Sequence, residues 1–82
     1  MYVVATHSIS NPDKFWTAAK TLAVPSHLKL HTVFPSPDGA KASCLWEGDS
    51  LPTVKQFVET ITSGLASNEY MVEAKNALGL PK

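Results

Sequence analysis

Arginine is absent from the chain, and its seven lysines are balanced by seven acids. Nucleic-acid binders need an excess of basic charge to displace counterions, and they favour arginine at base edges and phosphates. With neither, nucleic acid is excluded as a partner. The bidentate clamp that usually holds carboxylate or phosphate substrates is missing too. A single cysteine, Cys44, leaves no disulfide within the chain, which suits a reducing cytoplasm. No apolar run approaches the ~20 residues of a membrane span. The start, MYVVATHS, lacks the basic head and long apolar centre of a signal peptide. Glycine-rich phosphate loops, CxxC pairs and Ser/His/Asp patterns are absent as well.

What remains is one domain, residues 1–82. A chain this short buries only about 60% of its unfolded surface, so it needs a partner, a metal or very good packing. Tyr2-Val3-Val4-Ala5-Thr6-His7 reads as a first strand. Asn11-Pro12-Asp13 supplies an N-cap, a proline in the first turn and an acid there. A helix follows with Phe15, Ala19 and Leu22 on its apolar stripe, ending before Pro25. Residues 28–34, LKLHTVF, alternate as a strand, and Ser36-Pro37-Asp38-Gly39-Ala40 is a hairpin signal with glycine at the positive-φ position. The return strand is Lys41 to Glu47. Asp49-Ser50-Leu51-Pro52 starts a second helix whose face carries Leu51, Val54, Val58, Ile61 and Leu65. Gly64 and Ser67-Asn68 stop it, and Glu69 to Lys75 forms a last strand.

The order β-α-β-β-α-β with right-handed crossovers implies an α+β ferredoxin-like sandwich. A four-stranded antiparallel sheet carries both helices on one face, with the first and third strands as central neighbours, here expected to run parallel. Pairing Ser36 with Ala40 places Leu30, Thr32, Phe34, Ala42, Cys44 and Trp46 beneath the helices. Cys44 is then a small buried hydrophobe rather than a reactive thiolate. The open face receives Lys29, His31, Val33, Ser43, Leu45 and Glu47, with Val3, Ala5, His7 and Met71. Its apolar members call for a second copy packed sheet to sheet, a face-to-face homodimer.

On that parity His7, His31 and Glu47 converge at one corner of the open face. Two imidazoles and a carboxylate suit a divalent metal such as nickel or zinc with open coordination positions. Glu47 also faces Lys29, which explains it as an ordinary surface pair. Glu73 shares the parity but lies further off, and His27 is a loop residue.

The motifs Cys44-Leu45-Trp46-Glu47-Gly48 and Gly79-Leu80-Pro81, with His7 and the Ser36-Pro37-Asp38-Gly39 turn, resemble a family of small bacterial ferredoxin-like proteins, most without assigned function. One distant relative in that group binds nickel, which implies metal near His7. The fold is also similar to the dimeric α/β-barrel superfamily, with its cofactor-independent monooxygenases and haem-degrading enzymes. That likeness implies an enzyme using Asn11, Trp16 or His7 on a small apolar or aromatic substrate between helices and sheet. Three readings thus stand: a dimeric binder of a metal or small ligand at His7, His31 and Glu47; a barrel-type enzyme; and a purely structural homodimer.

Overall fold

The computed structural model describes residues 1–72. Six elements follow in the expected order: β1 (Tyr2–Ile9), α1 (Pro12–Lys20), β2 (Lys29–Pro35), β3 (Lys41–Glu47), α2 (Leu51–Thr62) and β4 (Ala66–Val72). The strands form one sheet in the order β2-β3-β1-β4, with every neighbouring pair antiparallel. This is the α+β ferredoxin-like arrangement. Glu73 and the Gly79-Leu80-Pro81 tail lie outside the described residues.

Both helices begin where their caps dictate. The Asn11 side chain accepts from the Lys14 N–H at 3.3 Å, with Pro12 in the first turn. Ser50 does the same for Thr53 at 3.3 Å, with Pro52 in the first turn. Gly64, at φ +75°, ends α2. Leu22 and Leu65, assigned to helices from the sequence, instead follow them in the connecting segments.

The main core joins Val3 and Ala5 of β1, Cys44 and Trp46 of β3, Val54 and Val58 of α2, and Leu28. A second cluster joins Ile9, Phe15 and Ala42. Burial of a single large aliphatic or aromatic side chain contributes about 1.5–3 kcal/mol. α2 buries Val54, Val58 and Thr62, whereas α1 buries only Phe15. α1 is therefore the more lightly held of the two.

Three expectations need correcting. β1 and β3 are antiparallel, with Tyr2 opposite Glu47 and His7 opposite Ala42. The reason is topological: the α1 crossover returns the chain so that β2 runs with β1, and the tight hairpin then reverses β3. The parity of β1 is also the opposite of that expected. Val3, Ala5, His7 and Ile9 are buried, while Thr6 and Ser8 are exposed. An apolar row of Val, Ala and Ile outcompetes Thr and Ser for the helical side.

The third correction concerns the hairpin. Pro37 and Asp38 form the turn, with the Gly39 N–H donating to the Ser36 carbonyl at 3.0 Å and Gly39 at φ +72°. The Ser36 N–H then donates to the Lys41 carbonyl at 2.8 Å, so Ser36 lies opposite Lys41 rather than Ala40. Val33 consequently pairs with Cys44 and Phe34 with Ser43. A β-bulge at His31 absorbs the extra residue, and beyond it Leu30 faces Trp46 and Lys29 faces Glu47, as expected. Phe34 is thus 72% exposed, not core.

Candidate functional site

The structure brings two of the three expected ligand residues together and sends the third elsewhere. His31, pushed out by the bulge, meets Glu47 with Nε2 and Oε1 2.8 Å apart. Its ring also packs on Tyr2, centroid to centroid 5.6 Å. The hydrogen bond from His31 holds the Glu47 carboxyl below the ordinary carboxylate range. His7 does not join them. It lies five residues along β1 from Tyr2, the partner of Glu47, which is roughly 17 Å of strand. It also points to the other side of the sheet, 2% exposed. Among the described residues no three His, Cys, Asp or Glu side chains gather as a metal set. The expected centre is reduced to a two-donor pair, short of the three or four protein ligands typical of zinc.

The more developed site lies under the helices. A small cleft of about 70 Å³ opens between α1, α2 and the sheet. Phe15, Trp16, Leu22, Val58 and Ile61 wall it from the helical side. Leu30, Val33, Cys44, Trp46 and His7 wall it from the sheet. On the α1 side the small Ala18 and Ala19 line it, and side-chain contacts fasten α1 to the sheet. One tie is the Trp16 indole, whose Nε1–H donates to the Gly39 carbonyl at 2.9 Å. Trp16 stacks edge-on against Phe15 with centroids 4.9 Å apart, and Phe15 in turn contacts the His7 ring at 5.5 Å.

His7 and Thr62 are the polar members of this wall, and His7 is supported from behind. Its Nδ1 is 2.5 Å from Asn68 Oδ1. The Asn68 Nδ2 donates to Glu59 Oε2 at 2.6 Å and to Thr62 Oγ1 at 2.7 Å. The Tyr70 hydroxyl donates to the same Glu59 oxygen at 2.5 Å. Bonds from Tyr70 and Asn68 hold the Glu59 carboxyl below its ordinary range. Burial, then the Glu59 carboxylate, push the Tyr70 phenol well above its own. Burial likewise raises the Cys44 thiol from 9.0 to about 11, so at neutral pH it is a neutral thiol.

Asn68, Thr62, Glu59 and Tyr70 were not singled out from the sequence. The sequence points to Asn68 as a helix stop, whereas β4 begins three residues earlier than expected, at Ala66, and includes it. The signal was present: Ala66, Asn68, Tyr70 and Val72 alternate with Ser67, Glu69 and Met71, and the first set faces the helices opposite Ile9, His7, Ala5 and Val3. Asn11, expected from the barrel likeness to serve chemistry, caps α1 instead. A comparison with known protein families, curated proteins and solved structures finds no match to the chain.

Proposed function

We propose that this chain binds a small, largely apolar molecule in the cleft between its helices and its sheet. The observation that carries the reading is a buried histidine set in a largely apolar, concave wall and supported by an Asn68–Glu59 network. Binding sites for small molecules have this character: apolar walls with a few placed polar groups. Apolar lining alone would be a packing defect; a histidine with a second-layer partner is a placed group. The cleft takes precedence over a nickel or zinc site on the open face, because His7 is not available to His31 and Glu47. It coincides with the location implied by the barrel likeness.

The open face supports the second half of the proposal, a homodimer. Met71, Val4 and Leu45 form a row across β4, β1 and β3, with Phe34 beyond it on β2. Phe34 and Met71 are 72% and 71% exposed. A second copy laid sheet to sheet covers them and adds the buried area that a short chain lacks. A reducing cytoplasm is the setting that suits the free Cys44 thiol.

Amide and methyl NMR during titration with a small uncharged single-ring aromatic tests the cleft. The expected shifts map to Phe15, Trp16, Trp46, Val58 and Ile61, and Ala19→Leu, which fills the space, abolishes them. Shifts clustered on Val4, Leu45 and Phe34 would place the ligand on the open face and end the reading. Nickel or zinc titration of wild type and His31→Ala gives the parallel check. Tight binding lost in the variant would restore the metal site.

A further inference from the structure

Of the side-chain nitrogens and oxygens along the cleft, one alone is free to meet a ligand. The Trp16 indole N–H is engaged by the Gly39 carbonyl. The Thr62 hydroxyl donates to the Val58 carbonyl and accepts from Asn68, so both its roles are filled. The Trp46 indole nitrogen has no partner, but it is sealed from open space and offers a ligand nothing. His7 Nε2 remains. The ring bonds Asn68 through Nδ1, and Nε2 has no partner among the described residues. Unlike Trp46 Nε1, it is not sealed. The space that His7 lines is the cleft, so Nε2 opens there.

The network behind His7 fixes what that nitrogen is. The Thr62 hydroxyl, donating at 2.8 Å to Val58, can only accept from Asn68. The Glu59 carboxyl, held below its ordinary range, is ionised at neutral pH and also only accepts. Both meet the same side of the Asn68 amide, which must therefore be its NH2. Asn68 Oδ1 is turned to His7, and the proton in that bond sits on Nδ1. In the neutral ring Nε2 is then a bare lone pair.

The wall thus presents one acceptor, with only the weakly donating Cys44 thiol beside it and no Lys, Asp or Glu side chain. An anion would meet a lone pair and no cation; a cation would leave water with no carboxylate to receive it. A neutral O–H suits the site. Size limits the rest of the molecule. The space of about 70 Å³ is under half the roughly 150 Å³ that takes up benzene in an engineered cavity. A single ring is therefore the upper bound, entering with its far edge left at the mouth.

Resting on the cleft as the binding site, we propose that it takes a small uncharged hydroxyl compound, an alcohol or a phenol of no more than one ring. The hydroxyl donates to His7 Nε2, and the carbon body lies against the apolar wall. Asn68 is a positioning residue: it holds the His7 tautomer that can accept.

Titration with phenol, toluene and anisole, followed by amide and methyl NMR, tests this. Toluene matches the shape of phenol without the donor, and anisole keeps the oxygen without its proton. Phenol is expected to bind about fivefold more tightly than either, the increment of one net hydrogen bond. His7→Phe erases that preference, and benzoate binds more weakly than phenol. If the three neutral compounds bind the wild type alike, or benzoate matches phenol, the proposal fails while the cleft reading stands. If none shifts the cleft resonances, both fall. The ring nitrogens of His7 decide the matter even if a variant does not fold. Nitrogen NMR of the free wild-type protein should show the proton on Nδ1, released from that site in Asn68→Leu. A proton on Nε2 of the neutral wild-type ring overturns the assignment.

Discussion

Cys44 and His7 are both apparent in the sequence as chemistry-bearing residues, and they fared differently for one reason. The apolar row Ala42, Cys44 and Trp46 anchors the parity of β3, so the buried place of Cys44 is legible in the sequence. β1 has no such anchor in its first six residues, and Val3 against Val4 gives no preference. Ile9, two residues beyond the strand expected from the sequence, is the anchor that sets Val3, Ala5 and His7 in the buried row. The Cys44 environment makes a testable pH dependence. Its folded pKa is raised from 9.0 to about 11 by burial, so the neutral thiol favours the fold. That contribution is complete below about pH 9 and is lost as the pH climbs toward about 11, where unfolding frees a thiolate that the fold disfavours. Lysines titrate in the same range, so the measurement is a comparison. Urea midpoints of wild type should fall more steeply across this window than those of Cys44→Ala, which loses some stability at every pH but lacks the slope. Parallel slopes in the two proteins would mean the thiol is not held neutral by the fold.

At the scale of elements, the caps and the turn were legible because their chemistry is local. Asn11, Ser50 and Gly39 each act within four residues of their own position. The register of β2 was not, because it depends on two insertions that cancel: one residue gained at the Gly39 turn and one absorbed at the His31 bulge. No local signal marks a bulge whose only function is to return a strand to register. The same bulge swings His31 onto Glu47 and Tyr2, so the one part of the expected metal corner that did form owes its geometry to a feature the alternation did not contain. The junction of β3 and α2 is under a tighter constraint. A Cβ added at Gly48 would stand 2.7 Å from Leu28 Cδ2 and 2.9 Å from Val54 Cγ2. Leu28 is nearly buried, and Val54 is fully buried and β-branched on a helix, with essentially one rotamer available. Neither can move aside without disturbing the core. Gly48→Ala is expected to cost about 1–3 kcal/mol, the range for overpacking a filled interior. A lowered urea midpoint at unchanged m-value is the signature, and an unaltered midpoint would mean the junction is looser than its contacts imply.

At the scale of the whole molecule, the sheet separates two roles. One face, with Val3, Ala5, His7, Cys44 and Trp46, builds the core and the cleft; the other carries Val4, Phe34, Leu45 and Met71 toward solvent. The class of the fold was legible because element order and hairpin geometry permit few alternatives. The antiparallel direction of β1 and β3 follows from the same rule, and it alone places His7 and Glu47 at opposite ends of the sheet. The division of roles leads to a prediction with two independent readouts. Phe34→Lys with Met71→Lys places charge at two positions already more than two-thirds exposed, so the monomer fold has little to lose. If a second copy covers this face, two lysines per protomer are brought into an apolar contact without partners, and association should fail. Native mass spectrometry of the wild type is expected to give a dimer at micromolar concentration and the double variant a monomer, with a lower, concentration-independent melting temperature. Binding of an aromatic in the cleft should survive the change, because the cleft opens on the opposite side of the sheet. A wild type that is monomeric at high micromolar concentration would overturn the dimer. A double variant that loses cleft binding while remaining folded would show that the two faces are coupled, and the division of labour across the sheet would have to be abandoned.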